Sequence, residues 1–214
     1  MTDKTPPGRN KERSKQQLLD AVGKLLKTEG FTGLKVNDIA ATAGLDKKLI
    51  YKYFGSRDNL VDEYISSLDF WSNVSQDQAP PVITDGGQDF TKHMLLQQYD
   101  VLDGNDELQK LMMWGLYESR KSLKAVADER EAVGEVLLTN ITDPFFGKFA
   151  KEYRSTVGIL IAGIYYMNMY AGVNCNTFCG IDITQPEGKQ DIKNALVNLV
   201  DLFYKDIEAK KQEG

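Results

Sequence analysis

The chain has 214 residues, a length that suits one large domain or a small domain joined to a larger one. Apolar residues make up 42% and charged residues 27%, which predicts a packed, soluble core. The first residues lack the apolar run of a signal peptide, so we expect a cytoplasmic protein.

Charge is distributed unevenly along the chain. The formal net charge is −5, which would argue against a nucleic-acid partner if it were spread evenly. Residues 1–60, however, carry 12 basic and 7 acidic side chains, a net charge of +5, and residues 61–214 carry 14 basic and 24 acidic ones, a net charge of −10. This division predicts a short basic module that meets a polyanion, joined to an acidic body with another role.

The basic part begins with a Pro- and Gly-containing arm at 1–9 and continues with three predicted helices. Leucine and valine at helical spacing predict the first helix over 10–29. The segment KVNDIAATAGL predicts a short second helix and a tight turn at Gly44. Asp46 is expected to cap the third helix, and Gly55 to end it.

The third helix is predicted to have an apolar face and a cationic face. Its apolar face consists of Leu49, Ile50, Tyr53 and Phe54. Its outward stripe, at positions i, i+1, i+4 and i+5, consists of Lys47, Lys48, Tyr51 and Lys52. A short helix, a glycine turn and such a second helix are typical of a helix-turn-helix, whose second helix enters the DNA major groove. Lys47 and Lys48 have the reach for base edges, and the later polar residues of the helix have the donors to hold phosphates.

A fourth helix is predicted to begin at Ser56 and to extend over 56–71. Arg57 lies in its first turn, where backbone N–H groups also favour an anion. We therefore expect Arg57 to contact a DNA phosphate.

The rest of the chain is predicted to be helical. A polar loop is expected at 72–88 and a second one at 175–187. Between and after them we expect helices near 89–102, 106–118, 120–140, 145–174 and 188–209. No strand alternation is visible, so an all-α architecture follows. The apolar stretch 157–173 is predicted to be a buried helix rather than a membrane span.

The sequence predicts neither an enzyme nor a metal protein. Cys175 and Cys179 have no His or second Cys pair to complete a metal site, so we expect buried or half-buried free thiols in a reducing cytoplasm. No Gly-rich phosphate loop and no Ser/His/Asp or Cys/His set is present. We expect no catalytic residues and no cofactor.

One ordered block of the chain carries a family pattern. It runs from LLDAVGK to RDNLV and contains Gly30-Phe31, Asp38-Ile39-Ala40, Ala43-Gly44, Tyr51-x-Tyr53-Phe54 and Ser56-Arg57. This block resembles the N-terminal domain of the TetR (tetracycline repressor) family of bacterial transcription regulators. The resemblance implies an operator of double-stranded DNA, a homodimer and a small-molecule effector.

The resemblance also implies which residues contact the operator. They are Asn37, Lys47, Lys48, Tyr51, Lys52, Tyr53 and Arg57. Two positions depart from the family pattern: Lys35 stands where Thr usually caps the second helix, and Asn59 stands where Glu usually completes a capping box with Ser56. Both departures predict weaker local stability.

The expected division of the chain is functional. Residues 1–55 form the helix-turn-helix DNA-binding domain, and residues 56–214 form a larger helical domain that binds the effector and dimerises. Coupling between the two is expected through the fourth helix.

Two residue sets in the larger domain are candidates for binding. An apolar or aromatic effector would contact large, soft side chains, which otherwise only fill the core: Met94, Met113, Trp114, Tyr117, Tyr165, Tyr166 and Met169. The resemblance implies a four-helix dimer interface, and the alternative is that its residues only close the monomer's own core: Ile159, Ala162, Gly163, Leu196, Leu199, Val200 and Phe203.

These observations favour a homodimeric repressor that a small molecule releases from an inverted-repeat operator. Two other classes stay open at this point, a helical small-molecule enzyme or carrier and a helical protein-interaction module. Specific, salt-sensitive retention of DNA would distinguish the regulator from both.

Overall fold

The structure is a computed structural model that describes residues 7–68, 83–171, 173 and 176–213, with side chains from residue 10 onward. Residues 1–6 of the expected N-terminal arm and most of the expected loop at 72–88 lie outside the described residues. Within the described ranges the fold is all-α, apart from one pair of two-residue strands.

The helices follow one another in chain order with short connections. They are α1 (Pro7–Glu29), α2 (Val36–Ala43), α3 (Lys48–Phe54), α4 (Arg57–Ser67), α5 (Gln88–Asp103), α6 (Asp106–Tyr117), α7 (Lys121–Leu137), α8 (Asp143–Phe146), α9 (Ala150–Tyr170) and α10 (Pro186–Glu213). Single turns of tighter or wider helix occupy Phe31–Gly33, Leu138–Thr142 and Gly147–Phe149. The strands are β1 (Thr177–Phe178) and β2 (Ile181–Asp182), paired antiparallel.

The described residues form two compact units. The first contains those of 1–73 and 106–128, and the second contains those of 74–105 and 129–213. The long helix α7 contributes its first residues to the first unit and the remainder to the second. These units divide the chain differently from the functional boundary expected after residue 55, which stays a prediction.

The first unit has a single apolar core. Apolar residues recur on one face of α1 at helical spacing, and they pack against α2, α3 and α4. Leu111 and Trp114 of α6 belong to the same core. The Trp114 ring stacks on Phe31 with centroids 5.5 Å apart, and Lys27 pairs with Glu107 at 2.8 Å. Helix α6 is therefore part of the unit that carries the helix-turn-helix.

In the second unit α5 packs against both α9 and α10. At one end of this packing the buried Thr91 hydroxyl lies 2.6 Å from the hydroxyl of Tyr153. Around this contact the aromatic rings form a cluster of Phe145, Phe146, Tyr153, Phe203 and Tyr204. At the other end ion pairs join Lys189 to Asp103 and Lys193 to Asp100.

Most helix bounds agree with the sequence prediction, and the exceptions have local causes. The helix expected over 120–140 ends at Leu137, and the helix expected over 145–174 begins only at Ala150, because Gly147 has φ 54° and interrupts the helical backbone. The fourth helix ends at Ser67, earlier than expected. Part of the loop expected at 175–187 is a hairpin, whose central residues Cys179 and Gly180 have φ 52° and 81°.

Two expectations about burial are wrong. The thiol-bearing residue Cys179 is exposed at the hairpin turn, whereas a buried or half-buried thiol was expected; Cys175 lies outside the described residues. The stretch 157–173 is not buried all round, since Ile159 is 73% and Tyr166 51% exposed. The apolar content of a helix predicts that it packs against another element, but it does not show whether every face of the helix is buried within its own unit. No described helix is long and apolar enough to cross a membrane.

Candidate nucleic-acid interface

A left-handed glycine makes the turn between α2 and α3. Gly44 has φ 66°, and its N–H donates to the Ala41 carbonyl at 3.1 Å. The next N–H, of Leu45, donates to the Ala40 carbonyl at 3.0 Å. Both bonds satisfy carbonyls at the end of α2, as is common where glycine follows a helix. The turn is therefore fixed by the sequence Ala43-Gly44-Leu45.

Asp46 caps α3, as the sequence predicts. Its Oδ1 accepts the backbone N–H of Lys48 at 2.8 Å. The resulting helix of 7 residues buries Ile50 and Phe54. These two anchors determine which side of α3 faces away from the core.

The expected outward stripe lies on the exposed side of α3. Its members, all exposed, are Lys47, Lys48, Tyr51 and Lys52. Tyr51 is 54% exposed although it is a large aromatic residue. Tyr53 is only half-buried and packs against the core, and the Lys52 ammonium lies 5.8 Å from the centroid of its ring. Tyr53 thus supports the helix with one part and reaches the surface with another.

Asn37 of α2 lies beside this stripe. The Lys47 ammonium donates to Asn37 Oδ1 at 3.3 Å, and both residues are exposed. The structure therefore brings the α2 candidate and the α3 candidates onto one surface.

Arg57 is half-buried and already has partners. Its Nε donates to Asp58 Oδ1 at 3.0 Å, and its Nη1 donates to the Leu34 carbonyl at 3.4 Å. The hydrogen bond from Arg57 holds the pKa of the Asp58 carboxyl below its ordinary value, against the opposing effect of burial. A phosphate that binds Arg57 would have to compete with Asp58.

The start of α4 is capped by Ser56, again as predicted. Ser56 Oγ accepts the backbone N–H of Asn59 at 3.0 Å. At the start of α2, by contrast, the Lys35 side chain makes no capping hydrogen bond, as expected. The side chain of Asn59 makes a bond that the sequence analysis missed: its Nδ2 donates to the Phe54 carbonyl at 2.9 Å. Sequence spacing gives no signal for this bond, because it depends on the backbone of Gly55.

A second feature that the sequence analysis missed is the group around Arg120, which precedes α7. Its guanidinium donates to Asp62 of α4 from Nε at 3.2 Å and from Nη2 at 2.9 Å, and its side chain is only 9% exposed. Ser122 donates to the same Asp62 oxygen at 2.7 Å. Burial is the largest influence on the pKa of Arg120 and lowers it, but Asp62 and nearby carboxylates together outweigh burial and raise it. The guanidinium also lies over the Trp114 ring at 5.1 Å.

The residues expected to bind an effector are divided between the two units. Met113, Trp114 and Tyr117 lie in the first unit, where Trp114 is buried against Phe31 and Tyr117 is 79% exposed. The members in the second unit are Met94, Tyr165, Tyr166 and Met169. Of these, Tyr165 is buried, and its hydroxyl donates to Gln98 Oε1 at 3.3 Å.

The residues expected at the dimer interface differ in exposure. Leu196 and Val200 are buried within the second unit, whereas Ile159 and Leu199 are 73% and 47% exposed. Ala162 is also exposed; Gly163 and Phe203 are half-buried. Ile159, Ala162 and Leu199 are therefore the members of this set that lie exposed.

Known proteins similar to this chain were found among family models and among solved structures. Residues 18–64 match the family model described as bacterial regulatory proteins, tetR family. A comparison with curated proteins gave no match. Among solved structures, the chain is similar to a crystal structure described as a TetR-family transcriptional regulator from Rhodococcus sp., with 18% sequence identity, a TM-score of 0.53, and coverage of 90% of this chain and 99% of that one. The family model thus matches the helix-turn-helix segment of this chain, and the solved structure shares its overall helical fold.

Proposed function

We propose that the protein is a homodimeric repressor that acts in the cytoplasm and binds an inverted-repeat operator through the exposed face of α3. A small apolar or aromatic molecule would release it. The observation that carries this proposal is the stripe of Lys47, Lys48, Tyr51 and Lys52, which is exposed along a helix whose other side is anchored in the core.

The side chains of the stripe and of Tyr53 suit the two kinds of contact that a sequence-specific DNA-binding helix makes, with bases and with phosphates. Lys47 and Lys48, at the N-terminal end of α3, have the length to donate to guanine O6 and N7 in the major groove. Tyr51, Lys52 and Tyr53 would donate to phosphates, which fixes the register of the helix on the duplex. Asn37, hydrogen-bonded to Lys47, would be released for the DNA when Lys47 turns towards a base.

A second copy of the chain is the partner we propose for the exposed apolar faces of α9 and α10. Ile159, Leu199 and Leu202 are 73%, 47% and 63% exposed. Association would remove this apolar surface from water, which is favourable. A twofold pair would present two α3 helices to half-sites about 34–36 Å apart, or a multiple of that distance.

The proposed coupling runs through α4, because Asp62 is bound by Arg120 and Ser122 at the start of α7. Helix α7 continues into the second unit, where half-buried Met94 and Met169 and buried Tyr165 are the effector-binding candidates. An effector that lowers operator binding 100-fold must favour the released state by about 2.7 kcal/mol.

Selection of bound duplexes from a random DNA pool tests the proposal. We expect wild-type protein to enrich an inverted repeat, with binding that falls steeply as salt rises. Lys48→Ala should reduce the preference for the selected sequence by about 5- to 150-fold, since a good base contact contributes about 1–3 kcal/mol. Lys24→Ala, which removes the same charge from the exposed side of α1, should leave the preference unchanged.

Enrichment of no sequence, or equal effects of Lys48→Ala and Lys24→Ala, would contradict the proposed role of α3. A metabolite library added to the complex tests the effector separately. A ligand that stabilises the protein but leaves operator affinity unchanged would refute release by an effector.

A further inference from the structure

The side chain of Asn59 joins the end of α3 to the first turn of α4. We propose that Asn59 is a positioning residue that holds α3 in the orientation required to read DNA sequence. This inference rests on the proposed function and adds a residue that would touch neither bases nor phosphates in that role.

Two hydrogen bonds connect Asn59 to the residues that precede α4. Ser56 Oγ accepts the backbone N–H of Asn59 at 3.0 Å, and Asn59 Nδ2 donates to the Phe54 carbonyl at 2.9 Å. Gly55 lies between them with φ 81°, and its N–H donates to the Tyr51 carbonyl at 3.0 Å. The last turn of α3 is thus bonded to α4 through the Asn59 side chain.

Helix α3 is held to the core by apolar side chains from one face, which leaves its exact orientation to the hydrogen bonds at its ends. It has 7 residues, and its buried anchors are Ile50 and Phe54. Together with Leu49 and Tyr53, these anchors determine which side of α3 faces the core, but apolar burial is non-directional and restrains small rotations of the helix less than hydrogen bonds at its two ends do. Asp46 fixes the N-terminal end, and Asn59 fixes the C-terminal end. Base contacts tolerate displacements of only about 0.5 Å, so a small rotation of α3 would impair them.

Only some side chains could make this bond. A carbonyl oxygen needs a donor, which the amide of Asn59 supplies and an ionised carboxylate does not. Glu at the same position would instead accept the Ser56 backbone N–H in a capping box. A neutral amide also avoids a negative charge beside the proposed phosphate contact at Arg57. The side chain of Asn59 therefore makes a hydrogen bond to the end of α3, where Glu would make a second capping hydrogen bond at the start of α4.

Two variants separate positioning from stability. Asn59→Ala removes the bond to Phe54 but keeps the backbone N–H that donates to Ser56. Ser56→Ala removes the cap of α4 but keeps the bond from Asn59 to Phe54. Both remove one side-chain hydrogen bond within four residues of each other, so each is the control for the other.

We expect Asn59→Ala to reduce the ratio of specific to non-specific DNA affinity by about tenfold, because misplaced base contacts are lost while phosphate contacts persist. Amide hydrogen exchange at Phe54 and Gly55 should become faster. We expect Ser56→Ala to lower the denaturation midpoint and to speed exchange in the first turn of α4, with an unchanged affinity ratio.

An unchanged affinity ratio in Asn59→Ala would overturn the inference, and so would unchanged exchange at Phe54 and Gly55. Failure of the proposed function gives a different result, since wild-type protein would then select no DNA sequence. The exchange measurement uses no DNA and still decides whether Asn59 holds the end of α3.

Discussion

At the scale of single residues, the basic surface has two kinds of cation. Lys47, Lys48 and Lys52 are exposed, whereas Arg57 is half-buried and bonded to Asp58 and to the Leu34 carbonyl. Because the pKa of Asp58 is lowered in the folded chain, its ionised form favours folding. That contribution is complete above the ordinary pKa of the carboxyl and is lost as the pH falls through the lowered value. It is small, since Asp58 is 60% exposed.

The pairing of Arg57 predicts the effect of Asp58→Asn. Removing the carboxylate frees the Arg57 guanidinium for a phosphate and removes a like charge from the DNA side of the protein. We expect affinity for all DNA sequences to rise several-fold and the slope of log affinity against log salt to steepen by about one. Fluorescence anisotropy at several salt concentrations measures both quantities. Weaker binding than wild type would show that Asp58 orients Arg57 instead of competing for it.

At the scale of elements, α4 is held at two places. Asn59 in its first turn is bonded to α3, and Asp62 one turn later is bonded to Arg120 and Ser122. The Arg120 side chain is only 9% exposed and lies over the Trp114 ring. Movement of α4 relative to α6 and α7 would therefore break charged hydrogen bonds from a mostly buried guanidinium.

This arrangement predicts that Arg120→Ala destabilises the protein by about 2 kcal/mol, because it removes charged hydrogen bonds to Asp62 and the packing of the mostly buried Arg120 side chain on Trp114. Chemical denaturation measures the free energy of unfolding. Lys124→Ala in α7 is the matched control, since its pair with Asp128 is exposed and should contribute less than about 0.5 kcal/mol. Equal losses in the two variants would mean that the Arg120 group does not hold α4.

The sequence predicts these elements better than it predicts their connections. The helical spacing of apolar residues, the glycines at 44 and 55, and the caps Asp46 and Ser56 act within a few residues, so α1 to α4 could be placed from sequence. Arg120 and Asp62 are 58 residues apart in the sequence, and no local pattern predicts their contact. The exposed side of α9 could not be predicted from sequence either, because apolar residues form the same pattern whether or not another element buries them.

At the scale of the whole molecule, charge and apolar surface point to different partners. The first 60 residues have a net charge of +5, and the remainder has −10. The exposed apolar residues Ile159, Leu199 and Leu202 lie in the acidic remainder. The proposed repressor therefore meets DNA with one part of its chain and its own copy with another.

The dimer proposal predicts the effect of a buried charge at its centre. We expect wild-type protein to sediment at twice the chain mass of 24.0 kDa at micromolar concentration, and Ile159→Glu to sediment as a monomer. Val136→Glu is the control, because Val136 is 59% exposed in α7, outside the proposed interface. A wild-type monomer, or dissociation caused equally by both variants, would contradict this interface.

Contact between the exposed face of α3 and duplex DNA can be measured by amide NMR shifts on titration with the selected operator. We expect the largest shifts at Lys47, Lys48, Tyr51 and Lys52, with a further shift at Asn37. Shifts confined to α9 and α10, with those of α3 unchanged, would contradict this contact.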